Sequence, residues 1–147
     1  MIPLEDAEAT EAFGRSLAER LRRGDVVALQ GTLGAGKTTL ARGILRGLGH
    51  HGDVASPTFP IVQAYDPPET RLPVWHVDLY RIEAPEELAE LGLDEARREG
   101  VLVIEWPERL PRLWTDALKL SLTVKEGLRR ALTAEVPAAW GARWPPR

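Results

Sequence analysis

The 147-residue chain has no cysteine, no asparagine, a single methionine, and only two residues each of phenylalanine and tyrosine. Without cysteine there are no disulfides, thiolate zinc sites, iron–sulfur clusters or thiol nucleophiles. No run of residues approaches the roughly 18 consecutive apolar positions of a transmembrane helix. Residues 1–23 are rich in acidic side chains and lack the apolar core of a secretion signal. A cytoplasmic protein that engages no membrane is therefore expected. Charge of one sign is also lacking: 19 Lys and Arg stand against 22 Asp and Glu, for a net charge of −3. Tight, autonomous binding to DNA or RNA by charge alone is not expected of such a balance. The missing asparagine and the excess of arginine over lysine fit a thermophile and a GC-rich genome equally.

What is present is the composition of an ordinary globular protein, 44% hydrophobic and 28% charged. The length suits one domain over residues 1–147, with a weakly defined tail from about residue 137. Apolar residues at three-to-four spacing (Ala9, Ala12, Phe13, Leu17, Leu21) predict a helix over 4–23. The short apolar run 26–29 predicts a strand buried on both faces. A helix is predicted over 37–48, ended by Gly49. Further expectations are a proline-rich loop over 52–70 with a short strand at 61–65, a strand at 74–78, a helix over 85–99 and a buried strand at 101–104. Leu118, Leu120, Leu122 and Val124 alternate with polar residues, which predicts a half-buried strand, and Glu126-Gly127 can turn the chain into an antiparallel return over 128–136. The tail, with Trp140 and Trp144, is expected to be poorly regular. The order implies an α/β fold with a mainly parallel sheet and antiparallel edge strands.

Between the first apolar run and the second helix stands Gly31-Thr32-Leu33-Gly34-Ala35-Gly36-Lys37-Thr38, a full match to G-x-x-x-x-G-K-[ST]. In a chain of this composition the motif arises by chance on the order of once in a thousand sequences. It follows a strand and opens a helix, as the chemistry requires, so the fold expected is the three-layer fold of P-loop NTPases. Glycines let the backbone curl until several N–H groups face one anion, and the helix N-terminus adds partial positive charge. Gly31, Leu33, Gly34, Ala35, Gly36, Lys37, Thr38 and Thr39 are the candidate ATP-binding residues. Lys37 would reach the β- and γ-phosphates and the Thr38 hydroxyl would ligate Mg²⁺. Guanine readers of the small-GTPase type need Asn-Lys-x-Asp. With no asparagine in the chain, ATP is the better candidate.

Two strands end in carboxylates, Asp78 and Glu105, where P-loop proteins gather metal and water ligands. Both are candidate catalytic and metal-binding residues, and the sequence leaves open which holds metal and which acts on water. Ser56-Pro57-Thr58 lies where a γ-phosphate sensor often sits, and Thr58 offers a hydroxyl. Trp106 is the aromatic expected nearest the nucleotide. His76, alone in mid-strand, reads more readily as structural than functional. The stretch 83–99 holds seven acidic residues and two arginines, the pattern of a solvated helix face.

Taken together, Gly31 to Thr39, Ser56-Pro57-Thr58-Phe59, His76-Val77-Asp78-Leu79-Tyr80-Arg81 and Ile104-Glu105-Trp106-Pro107-Glu108 resemble the TsaE (YjeE) family over about residues 5–136. That resemblance implies an accessory ATPase that requires Mg²⁺ and serves N6-threonylcarbamoyladenosine modification of adenosine 37 in ANN-decoding tRNAs. It implies the partners TsaB and TsaD, reset by ATP binding and hydrolysis, with tRNA met only through the complex. By matching motifs it implies phosphate and metal roles for Lys37 and Thr38, a switch position for Thr58, metal and catalytic roles for Asp78 and Glu105, and a place beside the site for Trp106. Thr32 departs from the family, which usually has Asp there. A small-molecule P-loop kinase is the alternative, although such kinases need an arginine-bearing lid to exclude water. The arginine-bearing stretch here, 95–99, is short and flanked by acids.

Overall fold

The computed structural model of the protein describes residues 1–32, 34–54 and 62–146. The elements in chain order are β1 (Ile2–Leu4), α1 (Ala7–Ala18), β2 (Val26–Gln30), α2 (Lys37–Leu48), β3 (Val62–Tyr65), β4 (Val74–Asp78), α3 (Pro85–Glu90), α4 (Leu93–Glu99), β5 (Val101–Glu105), β6 (Leu118–Val124) and β7 (Arg130–Glu135). A single 3₁₀ turn covers Pro107–Arg109, and two 3₁₀ turns broken at Gly141 cover Ala138–Arg143.

The strands form one seven-stranded sheet in the order β1-β7-β6-β2-β5-β4-β3. β6, β2, β5 and β4 run parallel in the centre, while β3 and the β7-β1 pair are antiparallel at the two edges. Helices cover both faces, as parallel central strands require. On one face α1 and α2 enclose a core with Val27, Leu29, Val101, Val103, Leu118 and Leu120. On the other, Val26, Val77, Leu102 and Ile104 meet Leu93, Leu88 and the segment 110–114. This is the expected three-layer α/β architecture.

α1 and α2 approach each other through glycine. A Cβ on Gly43 would lie 2.2 Å from the Glu11 carbonyl oxygen, and one on Gly14 would lie 2.6 Å from that of Leu40. The clash in each case is with backbone, which cannot rotate aside. Gly43→Ala is therefore expected to destabilise by about 1–3 kcal/mol through overpacking. That exceeds the ~1 kcal/mol by which alanine improves an exposed helix over glycine. Urea unfolding checks this, and an unchanged or higher midpoint would mean that α1 can move off without cost.

Three expectations need correction. The first helix does not begin at Leu4: residues 2–4 pair with β7, and Asp6 caps the helix by accepting from the Ala9 N–H at 2.8 Å. Proline at position 3 lacks a donor, which an edge strand tolerates. The helix expected over 85–99 is two, because Gly92 takes a left-handed conformation (φ 66°) between them. Glu87 accepts from the N–H groups of Glu83 and Ala84 at the start of α3, and these backbone bonds hold its carboxyl below the usual range. The tail, though only short 3₁₀ turns broken at Gly141, is not loose. Trp140 is buried in the α1–α2 core, Arg143 donates to Asp25 at 2.7 Å and to the Arg20 carbonyl at 2.9 Å, and Trp144 meets Phe13 edge-on. Asp25 precedes β2, so the tail closes the end of the sheet opposite the glycine-rich loop. Among the described residues, no helix is long and apolar enough to cross a membrane.

Candidate functional site

β2 is buried along almost its full length and delivers the chain at Gln30 into the glycine-rich loop. Gly34 (φ 79°) and Gly36 (φ 105°) take left-handed conformations there, and Gly36 caps α2. A side chain at either would be strained. α2 therefore starts at Lys37, with its free N–H groups turned to the loop. On the outside, Arg130 of β7 donates from Nε to the Ala35 carbonyl (3.2 Å) and from a terminal nitrogen to the Gly34 carbonyl (3.3 Å). The arginine thus fixes the peptide planes of the loop from behind.

Lys37 is 5% exposed. Its Nζ donates to the Gly31 carbonyl at 2.7 Å and sits 3.4 Å from the centre of a Trp106 ring. Burial lowers the pKa of the ammonium, and Glu105, Glu108 and Asp78 oppose that shift. A cation in this position is only partly compensated by the protein, and an anion in the loop would complete the compensation.

The two strand-end carboxylates lie side by side, since Asp78 of β4 is register partner to Glu105 of β5. Alternation along parallel strands puts Val74, His76 and Asp78 on the same face as Val101, Val103 and Glu105. It is the face covered by α2. Glu105 is 2% exposed, and the Thr38 hydroxyl donates to its two oxygens at 3.2 and 3.3 Å. His76 Nε2 lies 2.6 Å from Glu105 Oε2. Asp78 is half-buried and accepts the Tyr80 N–H at 2.9 Å. After Glu105 the chain turns sharply: Trp106 has φ 60° and ψ 50°, left-handed for a non-glycine residue and costing roughly 1–2 kcal/mol. This turn aims the indole over Lys37 and against Tyr80, 4.8 Å between centroids. Strain of this kind concentrates at functional sites.

The structure therefore brings together Gly31, Gly34, Ala35, Gly36, Lys37, Thr38, Asp78, Glu105 and Trp106. Thr39 lies a little apart, lining a recess of about 110 Å³ with Ala7, Thr10, Gly34, Gly36 and Arg130. Leu33 and Thr58, with Ser56, Pro57 and Phe59, lie outside the described residues. Two further residues belong here, His76, read above as structural, and Arg130, which the sequence does not single out. The signal for His76 was available, because it stands two positions before Asp78 in a strand and must share its face. Arg130 carried no such signal, since its contact with the loop depends on the placement of β7.

Hydroxyl and carboxylate oxygens from Thr38, Glu105 and Asp78 form a hard donor set suited to Mg²⁺, which takes one or two carboxylates and completes its shell with phosphate and water. No group of three or more His, Cys, Asp or Glu among the described residues is placed to hold a metal ion unaided. The donors present thus fit an ion that arrives with a phosphate ligand.

The sequence comparisons agree on one family. The profile of "Threonylcarbamoyl adenosine biosynthesis protein TsaE" matches residues 4–132. The tRNA threonylcarbamoyladenosine biosynthesis protein TsaE of Synechocystis sp. is 44% identical over 117 residues, 75% of this chain and 71% of that protein. Its counterpart in Streptomyces coelicolor is 45% identical over 112 residues, 75% of this chain and 76% of its own. That of Rickettsia prowazekii is 37% identical over 132 residues, 88% and 90% of the two chains. The crystal structure of Bacillus subtilis YdiB superposes with a TM-score of 0.77 at 31% identity, covering 96% of this chain and 88% of that one. With a glycine-rich loop between β2 and α2 and this breadth of similarity, the chain belongs to the TsaE family of tRNA threonylcarbamoyladenosine biosynthesis.

Proposed function

We propose that the protein is an accessory Mg²⁺-dependent ATPase that acts on a TsaB–TsaD complex through cycles of ATP binding and hydrolysis, and meets tRNA only through that complex. The observation that carries the reading is the convergence of Lys37, Thr38 and Glu105 where β2 and β5 end. It puts a buried cation beside a hydroxyl–carboxylate pair of metal-binding chemistry.

In this reading the loop N–H groups and Lys37 bind the phosphates, and Trp106 excludes water from the lysine. Thr38 and Glu105, with Asp78 beside them, would hold Mg²⁺, which when bound neutralises phosphate charge. Asp78 is the more exposed carboxylate and is the candidate to orient water. In the chemical step a water oxygen bonds to the γ-phosphorus, the bond to the β–γ bridging oxygen breaks, and ADP leaves. The proton released by the water passes to an oxygen of the departing phosphate, and Asp78 orients the water by accepting a hydrogen bond from it. β5 and β4 carry the carboxylates on one side of β2, so the nucleoside would run to the other side, toward β6, β7 and the recess lined by Thr39 and Arg130.

The contacts of Arg97 weigh against the kinase alternative. Arg97 donates to the Gly24 carbonyl at 2.8 Å and pairs with Asp116. Gly24 precedes β2, so this arginine is tied down at the end of the sheet away from the glycine-rich loop.

The test is the rate of Mg²⁺-dependent ADP formation, alone and with a purified TsaB–TsaD pair. The expected result is little turnover alone and a large acceleration by the pair, abolished by EDTA. A rate indifferent to the pair would remove the accessory role. Transfer of phosphate to a small molecule in place of water would move the kinase reading to the front.

A further inference from the structure

The pair formed by His76 and Glu105 is unlike the rest of the core. His76 is completely buried in the middle of β4, its Cα paired with Val103 and Gln63. Its Nε2 lies 2.6 Å from Glu105 Oε2, and that carboxylate is itself nearly sealed from solvent. A carboxylate can only accept, so Nε2 carries a proton and donates it to Glu105. Nδ1 is buried with no hydrogen-bond partner among the described residues. The imidazole therefore spends both its polarity and its burial on a single contact. Replacing both members of a buried polar pair in mid-strand with packed hydrophobes is often neutral or stabilising, so stability alone does not call for a histidine and a carboxylate here. Packing does not explain this histidine.

The geometry offers another explanation. Glu105 accepts from two sides, His76 on Oε2 and the Thr38 hydroxyl on both oxygens. These two contacts come from different elements, β4 and α2, and together they fix the rotation of the carboxylate about its own axis. We propose that His76 is a positioning residue that holds the Glu105 carboxylate in the orientation in which it, together with Thr38, takes the cation. The inference rests on the ATPase reading above and adds a residue to it. His76 touches neither nucleotide nor cation. It acts through Glu105, and the expected consequence is a change in metal affinity ahead of any change in nucleotide affinity.

Metal ligands whose hydrogen-bonding partners are removed typically lose about 10–100-fold in affinity. The experiment is Mn²⁺ titration, followed by electron paramagnetic resonance, with a non-hydrolysable ATP analogue present. ATP affinity in EDTA and the Tm are measured in parallel. His76→Leu preserves volume and removes the donor. It should fold, bind ATP in EDTA as the wild type does, and bind Mn²⁺ about 10–100-fold more weakly. His76→Gln can place an N–H near the reach of Nε2 and should restore Mn²⁺ affinity. His76→Asn is equally polar but ends at the depth of Nδ1, and should not. This Gln–Asn contrast decides the matter even where the leucine variant fails to fold.

Mn²⁺ affinity that is unchanged in His76→Leu, or that falls equally in the Gln and Asn variants, overturns the proposal. So does a parallel loss of ATP affinity in EDTA, which would mark a general distortion of the loop. A wild-type protein that binds ATP but takes up no Mn²⁺ fails the ATPase reading itself, and is separated from failure of the histidine by the wild-type titration alone.

Discussion

Lys37→Met is expected to abolish nucleotide turnover and to weaken ATP binding by about 10–150-fold without lowering the Tm. The binding loss follows from removal of a charge-assisted hydrogen bond to phosphate, about 1.5–3 kcal/mol. The stability half of the prediction comes from the environment of the lysine. Burial opposes its charge, and the three carboxylates around it do not fully offset that opposition. Methionine fills the same space under the Trp106 indole with no charge to desolvate. It gives up the bond to the Gly31 carbonyl, and the two effects are of similar size and opposite sign. Calorimetric titration with ATP and thermal unfolding read the two halves separately. An unchanged ATP affinity would remove Lys37 from the phosphate site. A collapse in Tm would mean that the lysine mainly holds the loop together through Gly31.

Most of the fold was legible because its signals are local. Val26 to Leu29 and Val101 to Ile104 are continuous apolar runs, which parallel strands buried on both faces require. Leu118 to Val124 alternates because β6 lies half-buried where the sheet turns antiparallel. What failed to show is what depends on distant partners. Residues 2–4 are a strand only because β7 is there to pair with them, and three residues beginning Ile-Pro carry no period of their own. The tail looked irregular because its order comes from tertiary contacts of Trp140, Arg143 and Trp144 with the far end of α1 and β2. Gly92 was a visible breaker, yet the acidic helix pattern continued across it and masked the break.

The candidate site divides along the same line. The glycine-rich loop is a contiguous motif whose geometry follows from its own residues, so its meaning survives without a fold. Asp78 and Glu105 could be recognised because each ends a buried strand, and ends of neighbouring parallel strands meet. The contact of His76 with Glu105 needs the relative stagger of β4 and β5, and that of Arg130 with Ala35 needs the whole β6–β7 hairpin to fold back beside the loop. Neither stagger nor hairpin placement is written in a local pattern. A histidine in a strand and an arginine after a turn were each unremarkable until the sheet order set them next to the loop.

The two carboxylates are expected to separate in their effects, with Glu105→Gln the more severe. Glu105 is nearly buried and shares both its oxygens with the Thr38 hydroxyl, whereas Asp78 is half-buried and already accepts a backbone N–H from Tyr80. Glutamine keeps the size of Glu105 and can still accept from both Thr38 and His76. It removes the charge and turns one acceptor oxygen into an NH2 donor while keeping the shape, so the fold and ATP affinity in EDTA should remain. Loss of charge opposite a divalent cation and a reacting phosphate is expected to cost about 10²–10³-fold in turnover, the scale seen when one well-placed electrostatic group is deleted. The half-saturating Mg²⁺ concentration should rise in the same variant. Asp78→Asn should lower turnover less steeply and leave the Mg²⁺ dependence near that of the wild type, because its share is to orient water. Initial rates across a Mg²⁺ series for the two variants distinguish the roles. If Asp78→Asn shifts the Mg²⁺ curve and Glu105→Gln does not, the two assignments exchange. If both variants turn over ATP at the wild-type rate, neither carboxylate takes part, and the meeting of β4 and β5 ends at Thr38 is structural alone.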